Sequence, residues 1–313
     1  MTTSWAEFLQ RWSSPGVDAL AYIVTCLGSE LFYTVALPVI YWAWSKRTGY
    51  RLGILFLLSM WLNSALKYAL AIPRPPATPK ARIIHAETGG GYGFPSGHAQ
   101  GSSTFWGYLA SEEGKRWLWL VASVIVGLVS LSRIYLNVHW PADVAGGIAI
   151  GAVLVFSGWL AGRLTERLRP SGPVCVAAAV TGPLILYWVH HSAEVYMMVG
   201  LLIGLPIGRM LEERMIGWEE KAPWAIQIRK VLLGMAGFLV IRTGLKAILP
   251  DMGLMHVFRY TVAGIWVSFG APWAFKTLGW DRNAHGMSSV CSHEESTAVQ
   301  GDGGRPASPK ERE

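Results

Sequence analysis

Charged residues are scarce in this chain. Asp, Glu, Lys and Arg make up 15% of its 313 residues, well below the ~25% of ordinary soluble domains. Cysteine is scarcer still, with three in the whole chain, which excludes a disulfide framework. Acidic residues number 20, and nowhere do they gather into the carboxylate-rich cage that a hard metal ion requires. The N-terminus lacks the basic start and apolar core of a signal peptide. What abounds is apolar: 52% hydrophobic residues and 16 tryptophans, a ring type that concentrates at membrane interfaces. Disorder, a coiled coil and a collagen-like chain are therefore excluded as the main architecture. The formal net charge is +7, yet the basic residues stand in short clusters between apolar runs. That pattern marks membrane topology rather than a nucleic-acid face, and no nucleic-acid partner is expected.

The expected fold class is an all-α polytopic transmembrane helical bundle of about nine spans. A span needs about 20 residues, and an open sheet edge cannot sit in lipid. The segments are 19–44, 52–72, 97–109, 117–136, 142–160, 174–189, 195–210, 231–249 and 257–275. The third is short, as a helix recessed at a polar site would be, and 174–189 with 195–210 has the lengths of a re-entrant pair. Residues 1–16 read as an interfacial amphipathic segment: Trp5, Phe8, Leu9 and Trp12 share a helical face, and Ser4 with Glu7 makes a capping-box pattern. Residues 17–165 are expected to form the transmembrane core, 166–280 additional transmembrane helices, and 281–313 a disordered tail. The loops holding Lys46, Arg47 and Arg51, then Lys115 and Arg116, then Arg163, Arg167 and Arg169, then Arg209, Arg214, Lys221, Arg229 and Lys230 alternate with less basic ones. The positive-inside rule then puts the N-terminus outside and the tail in the cytoplasm.

Three segments on the outward side carry chemistry. The first is Lys67-Tyr-Ala-Leu-Ala-Ile-Pro73-Arg74-Pro75, where the prolines end a helix and fix Arg74 in a rigid turn. Lys67 alone reads as a lysine snorkelling from a helix end. The second is Gly93-Phe-Pro95-Ser96-Gly97-His98. Ser96 is a natural N-cap, and the amides of Ser96, Gly97 and His98 suit an anion. The third is Ser132-Arg133 followed by His139 and Asp143, with Pro141 at a helix start. Four residues apart, the carboxylate can bond one ring nitrogen of the histidine and leave the other as base or nucleophile. Lys67, Arg74 and Arg133 are three cations for a dianionic phosphate, beside two histidines and one carboxylate.

Taken together these segments resemble the membrane type-2 phosphatidic acid phosphatase family, which shares its site with the vanadium haloperoxidases. Its motifs Lys-x6-Arg-Pro, Pro-Ser-Gly-His and Ser-Arg-x5-His-x3-Asp stand complete and in order within residues 67–143. The resemblance implies catalytic roles for His139, His98 and Asp143: phosphohistidine-forming nucleophile, general acid, and orienting carboxylate. It implies phosphate contacts from Lys67, Arg74, Ser96, Gly97 and Arg133, no metal and no cofactor. The implied partners are the bilayer and a lipid phosphate or diphosphate: undecaprenyl diphosphate first, given an outward site, or phosphatidylglycerol phosphate or phosphatidic acid. Short loops and the lack of a eukaryotic targeting signal favour a bacterial plasma membrane. A lipid phosphotransferase, a non-catalytic lipid-phosphate transporter and a haloperoxidase are the competing functions.

Outside the motifs, Glu30 within the first span is a functional residue or a packing contact. Arg242, Lys246 and Arg259 read as snorkelling cations. His190 and His191 read as solvated, Cys26 and Cys175 as core fillers. His285, Cys291 and His293 match no good zinc spacing. The loop with His85 and Tyr92 has the place of a lid.

Overall fold

The computed structural model describes residues 4–168 and 171–280. Every regular element among them is helical. They are α1 (Ser4–Leu9), α2 (Pro15–Cys26), α3 (Glu30–Val39), α4 (Lys46–Leu70), α5 (Gly97–Glu113), α6 (Arg116–Tyr135), α7 (Pro141–Leu168), α8 (Gly172–Val189), α9 (Ala193–Met215), α10 (Trp224–Ile248), α11 (Gly253–Ile265) and α12 (Ala271–Thr277). Five are long and apolar enough to cross a membrane: α4, α6, α7, α9 and α10. A sixth arises if α2 and α3, bent by 45° to each other, form one broken span.

All nine expected segments are helical, but the count of nine spans is not reached. α5 falls short because its face is polar: Gln100, Ser102, Ser103 and Thr104 are buried along it. α8 is a short apolar helix, and α11 runs through a π-helical turn, Trp266–Gly270, into α12. The re-entrant pair is also corrected. Its second member, α9, extends to 23 residues and qualifies as a crossing. The first expected span breaks where Ser29 caps a new helix, its hydroxyl accepting from Phe32 N at 3.3 Å. Residues 281–313, with the expected disordered tail, His285, Cys291 and His293, lie outside the described residues.

The core bundle is arranged so that the C-terminal ends of α4 and α6 meet the N-terminal ends of α5 and α7. α4 stops at Leu70 because Ala71 adopts a left-handed conformation, two residues before Pro73. At the far end Arg51 pairs with Glu112 at 3.8 Å and Glu166 at 2.8 Å, and Arg47 also pairs with Glu166. The N-terminal segment packs over the site end. Leu9 lies against the cluster of Ala21, Tyr135, Leu136 and Val138. Gln10 donates to Arg82 O at 2.9 Å and Tyr135 O at 2.7 Å, while Trp5, Phe8 and Trp12 stay exposed.

Candidate active site

The first-motif loop, the start of α5 and the turn before α7 converge on His139, which is 3% exposed. Its Nδ1 lies 3.3 Å from Asp143 Oδ2. The same carboxylate oxygen accepts the Trp140 amide at 2.9 Å, so the first turn of α7 fixes the acid before it meets the ring. Arg74 Nη1 sits 3.0 Å from His139 Nε2. An arginine only donates, so Nε2 accepts and Nδ1 carries the proton toward Asp143. Burial, then the charges of Arg74, Arg133 and Lys67, hold the His139 imidazole well below its usual range. The ring is therefore a neutral imidazole with its lone pair on Nε2.

The cations surround this ring. Arg74 also donates to Val138 O at 2.5 Å, Gly91 O at 2.8 Å and Gly90 O at 2.5 Å. Arg133 is fully buried and donates to Thr25 Oγ1 at 2.7 Å, Thr88 Oγ1 at 3.0 Å and Thr88 O at 2.7 Å. The loop between the first two motifs is thus tied to both arginines. Lys67 lies on the last turn of α4 within electrostatic reach of Arg74, Arg133, Asp143 and Glu194.

Ser96 occupies the N-cap position of α5, yet its side chain makes no cap bond. Its amide is also taken, donating to Asp143 O at 3.0 Å. That leaves the Gly97 and His98 amides of the first turn to face an anion. The Ser96 hydroxyl and Arg133 Nε are buried without a hydrogen-bond partner. Orphaned donors of this kind suit phosphoryl oxygens. His98 packs against Gly28, where an added Cβ would lie 3.1 Å from its Cδ2.

The sequence reading missed the support behind these groups. Asn63, buried in α4, donates to Pro95 O at 3.2 Å and Gln100 Oε1 at 2.8 Å. Gln100 donates onward to Ser59 O at 2.7 Å. An amide inside an apolar helix was the available signal. Thr25 and Thr88 carried none. Three expectations are corrected. His190 is docked, its Nε2 3.1 Å from Ser64 Oγ and its ring 4.9 Å from that of Tyr68. Cys175 is exposed rather than a core filler. Arg259 is 8% exposed and bonds His256 Nδ1 at 2.6 Å instead of snorkelling. Glu30 caps no ion pair and lines a cavity together with His98.

The family model described as "PAP2 superfamily" matches residues 48–165, and "PAP2 superfamily phosphatase, transmembrane extension" matches residues 196–283. The chain is similar to sphingosine-1-phosphate phosphatase 2 of Mus musculus, 30% identical over 179 residues, covering 54% of this chain and 49% of that one. It is similar to phosphatidylglycerophosphatase B of Bacillus subtilis, 31% identical over 158 residues, covering 45% and 73%. It is similar to undecaprenyl-diphosphatase of Sulfolobus acidocaldarius, 31% identical over 130 residues, covering 42% and 59%. The chain spans about half the length of the sphingosine-1-phosphate phosphatases it matches.

Proposed function

This chain belongs to the PAP2 superfamily of phosphatases, and on that premise we propose that it hydrolyses a lipid phosphate or diphosphate within the membrane. The observation that carries the reading is the buried His139, held through Nδ1 by Asp143 and presenting Nε2 to Arg74. In the first step Arg74 Nη1 passes from Nε2 to a phosphoryl oxygen, the freed Nε2 lone pair attacks phosphorus, and a P–N bond forms as the P–O bond to the leaving group breaks. His98 gives its proton to the departing oxygen. In the second step water attacks phosphorus, His98 takes a proton from it, the P–N bond breaks and phosphate leaves. Arg74, Arg133 and Lys67, with Ser96 and the Gly97 amide, neutralise the equatorial oxygens throughout. Arg74 and Arg133 exchange some of their bonds to the Thr88, Gly90 and Gly91 strap for bonds to the phosphoryl group.

The site lies opposite the basic loops, so the positive-inside rule supports an extracytoplasmic active site, an external N-terminus and a cytoplasmic tail. A bacterial plasma membrane fits the short loops. Undecaprenyl diphosphate is the substrate we place first, ahead of phosphatidylglycerol phosphate and phosphatidic acid, because an outward site suits a carrier lipid released on that face.

The test is phosphate release in detergent from a panel of lipid phosphates and diphosphates, with chelator present, by wild type and His139→Ala. We expect chelator-resistant release that falls by about 10⁴-fold or more in the variant, and acid-labile phosphate on His139 after a rapid quench. A well-folded wild type that releases phosphate from none of them overturns the phosphatase reading.

A further inference from the structure

We propose that the cavity between the core and the extension is the groove for the hydrocarbon chain on the leaving oxygen, and that the extension sets the chain length accepted. The proposal rests on the phosphatase reading. The cavity has a volume of about 310 Å³. On α4 it follows Gly49, Gly53, Phe56, Met60 and Asn63, spaced three or four apart, which is one stripe of a helix. At 1.5 Å per residue that stripe is ~21 Å long, a large part of the ~30 Å hydrocarbon core of a bilayer.

Its polar end is the active site itself. Asn63, Gly97 and His98 line it there. His98 protonates the leaving oxygen, so whatever that oxygen carries begins at this end. The remaining walls are mostly apolar, with Glu30, Glu194 and Arg242 the charged exceptions, and the wall facing α4 belongs to the extension: Met198, Leu201 and Leu205 of α9, Phe238 of α10 and Tyr260 of α11. Methionines and leucines beside aromatic rings make an adaptable slot for an alkyl or prenyl chain. Continuity with the leaving-group acid commits the groove to a chain borne by the substrate rather than to bulk lipid.

Gly53 is the place to test it. A Cβ added there meets only Leu205 Cδ1 at 4.0 Å, so a larger side chain starts from open space in the groove ~15 Å below Asn63. Octyl phosphate and octadecyl phosphate serve as paired substrates, with the thermal unfolding midpoint as a check of the fold. Wild type should favour the octadecyl ester. Gly53→Phe should hold kcat/KM for the octyl ester within about twofold and lose about tenfold or more for the octadecyl ester. Leu205→Ala, which widens the lower groove instead, should raise the octadecyl-to-octyl ratio. Equal losses on both esters, or no chain-length preference in wild type, overturn the groove while leaving the phosphatase reading intact. If wild type hydrolyses neither ester, a photoreactive octadecyl phosphate decides. Label on α4 and α9 that disappears in Gly53→Phe supports the groove. Label spread over the lipid-facing helices overturns it.

Discussion

The core and the extension hold their helices together by different means. In the core a polar thread runs through the bundle. Asn63, Gln100, Ser59 and Thr104 are buried and bonded to one another and to the Pro95 carbonyl. Lipid offers such groups no partner, so each has to find one inside the protein. In the extension α9 and α11 approach backbone to backbone along a glycine stripe, with Val195, Val199 and Val257 packed beside it. Gly200, Gly204 and Gly208 recur every fourth residue, and a Cβ at Gly204 would lie 2.2 Å from Thr261 O. Between helices in lipid, where burial from water is no driving force, close backbone approach and dispersion do that work. Glycines of α7 pack on α5 in the same way, a Cβ at Gly147 lying 2.7 Å from Ser96 O, so what sets the core apart is the polar thread: there polar identity governs geometry, while in the extension volume governs assembly.

The sharpest way to break that comparison is to add volume to the extension. Gly204→Leu pushes α9 away from α11, and we expect a loss of about 3 kcal/mol or failure to assemble, read as unfolding in detergent. The protein that does fold should retain its turnover of a short-chain ester. An unchanged unfolding midpoint would show that α9 and α11 are not packed this closely.

Asn63→Leu does the reverse in the core. It keeps the volume and removes the donor to Gln100 and Pro95, at about 1–3 kcal/mol. The larger consequence is in rate: the Pro95–Gly97 corner loses its anchor, and kcat/KM should fall about 10²-fold in material that remains folded. Rescue by Asn63→Gln, but not by Asn63→Leu, separates positioning from bulk.

This contrast also explains what the sequence made legible. Chemistry demands particular residues at particular spacings, so Lys67, Arg74, Ser96, Gly97, His98, Arg133, His139 and Asp143 stood out as candidates before any fold was known. The structure brings His139, Asp143 and Arg74 into direct contact. Hydropathy placed the helices but not their crossings. It has no term for the break after Cys26, for a neighbour such as Ser64 that draws in His190, or for a cap hydroxyl left unbonded at Ser96. The four-residue glycine spacing of α9 was visible and is a known packing signal, yet glycine spacing alone names no partner helix. The π-helical turns at Ile40–Trp44 and Trp266–Gly270 had no local signature at all.

A smaller effect concerns protonation in the core. His139 in the folded protein resists protonation until well below pH 6.5, whereas the unfolded chain binds a proton near that value. The stability conferred by burying the neutral ring is complete above about pH 6.5. It is lost as pH falls, at about 1.4 kcal/mol per unit for this one group. NMR of ring-labelled histidine should show His139 neutral at pH 6 with its proton on Nδ1. Titration at or above pH 6.5 would contradict the Arg74 and Asp143 arrangement.

The smallest effect lies where the two regions meet. Tyr41 donates to Ser268 O at 3.2 Å, and its neighbour Trp42 donates to Val267 O at 2.8 Å. The accepting carbonyls belong to the second π-helical turn and the donors are side chains of the first, so the second turn offers carbonyls that a regular helix would keep for itself. Tyr41→Phe removes one hydroxyl with almost no change in shape, and Trp42 still holds the adjacent carbonyl. We expect a loss of about 1 kcal/mol in unfolding, with turnover of a short-chain ester unchanged because the hydroxyl is remote from His139. A loss of turnover without a loss of stability would mean that the joint between core and extension transmits geometry to the site. The extension would then do more than wall a groove, and the separation of assembly from chemistry would fail at a joint where the two regions share hydrogen bonds.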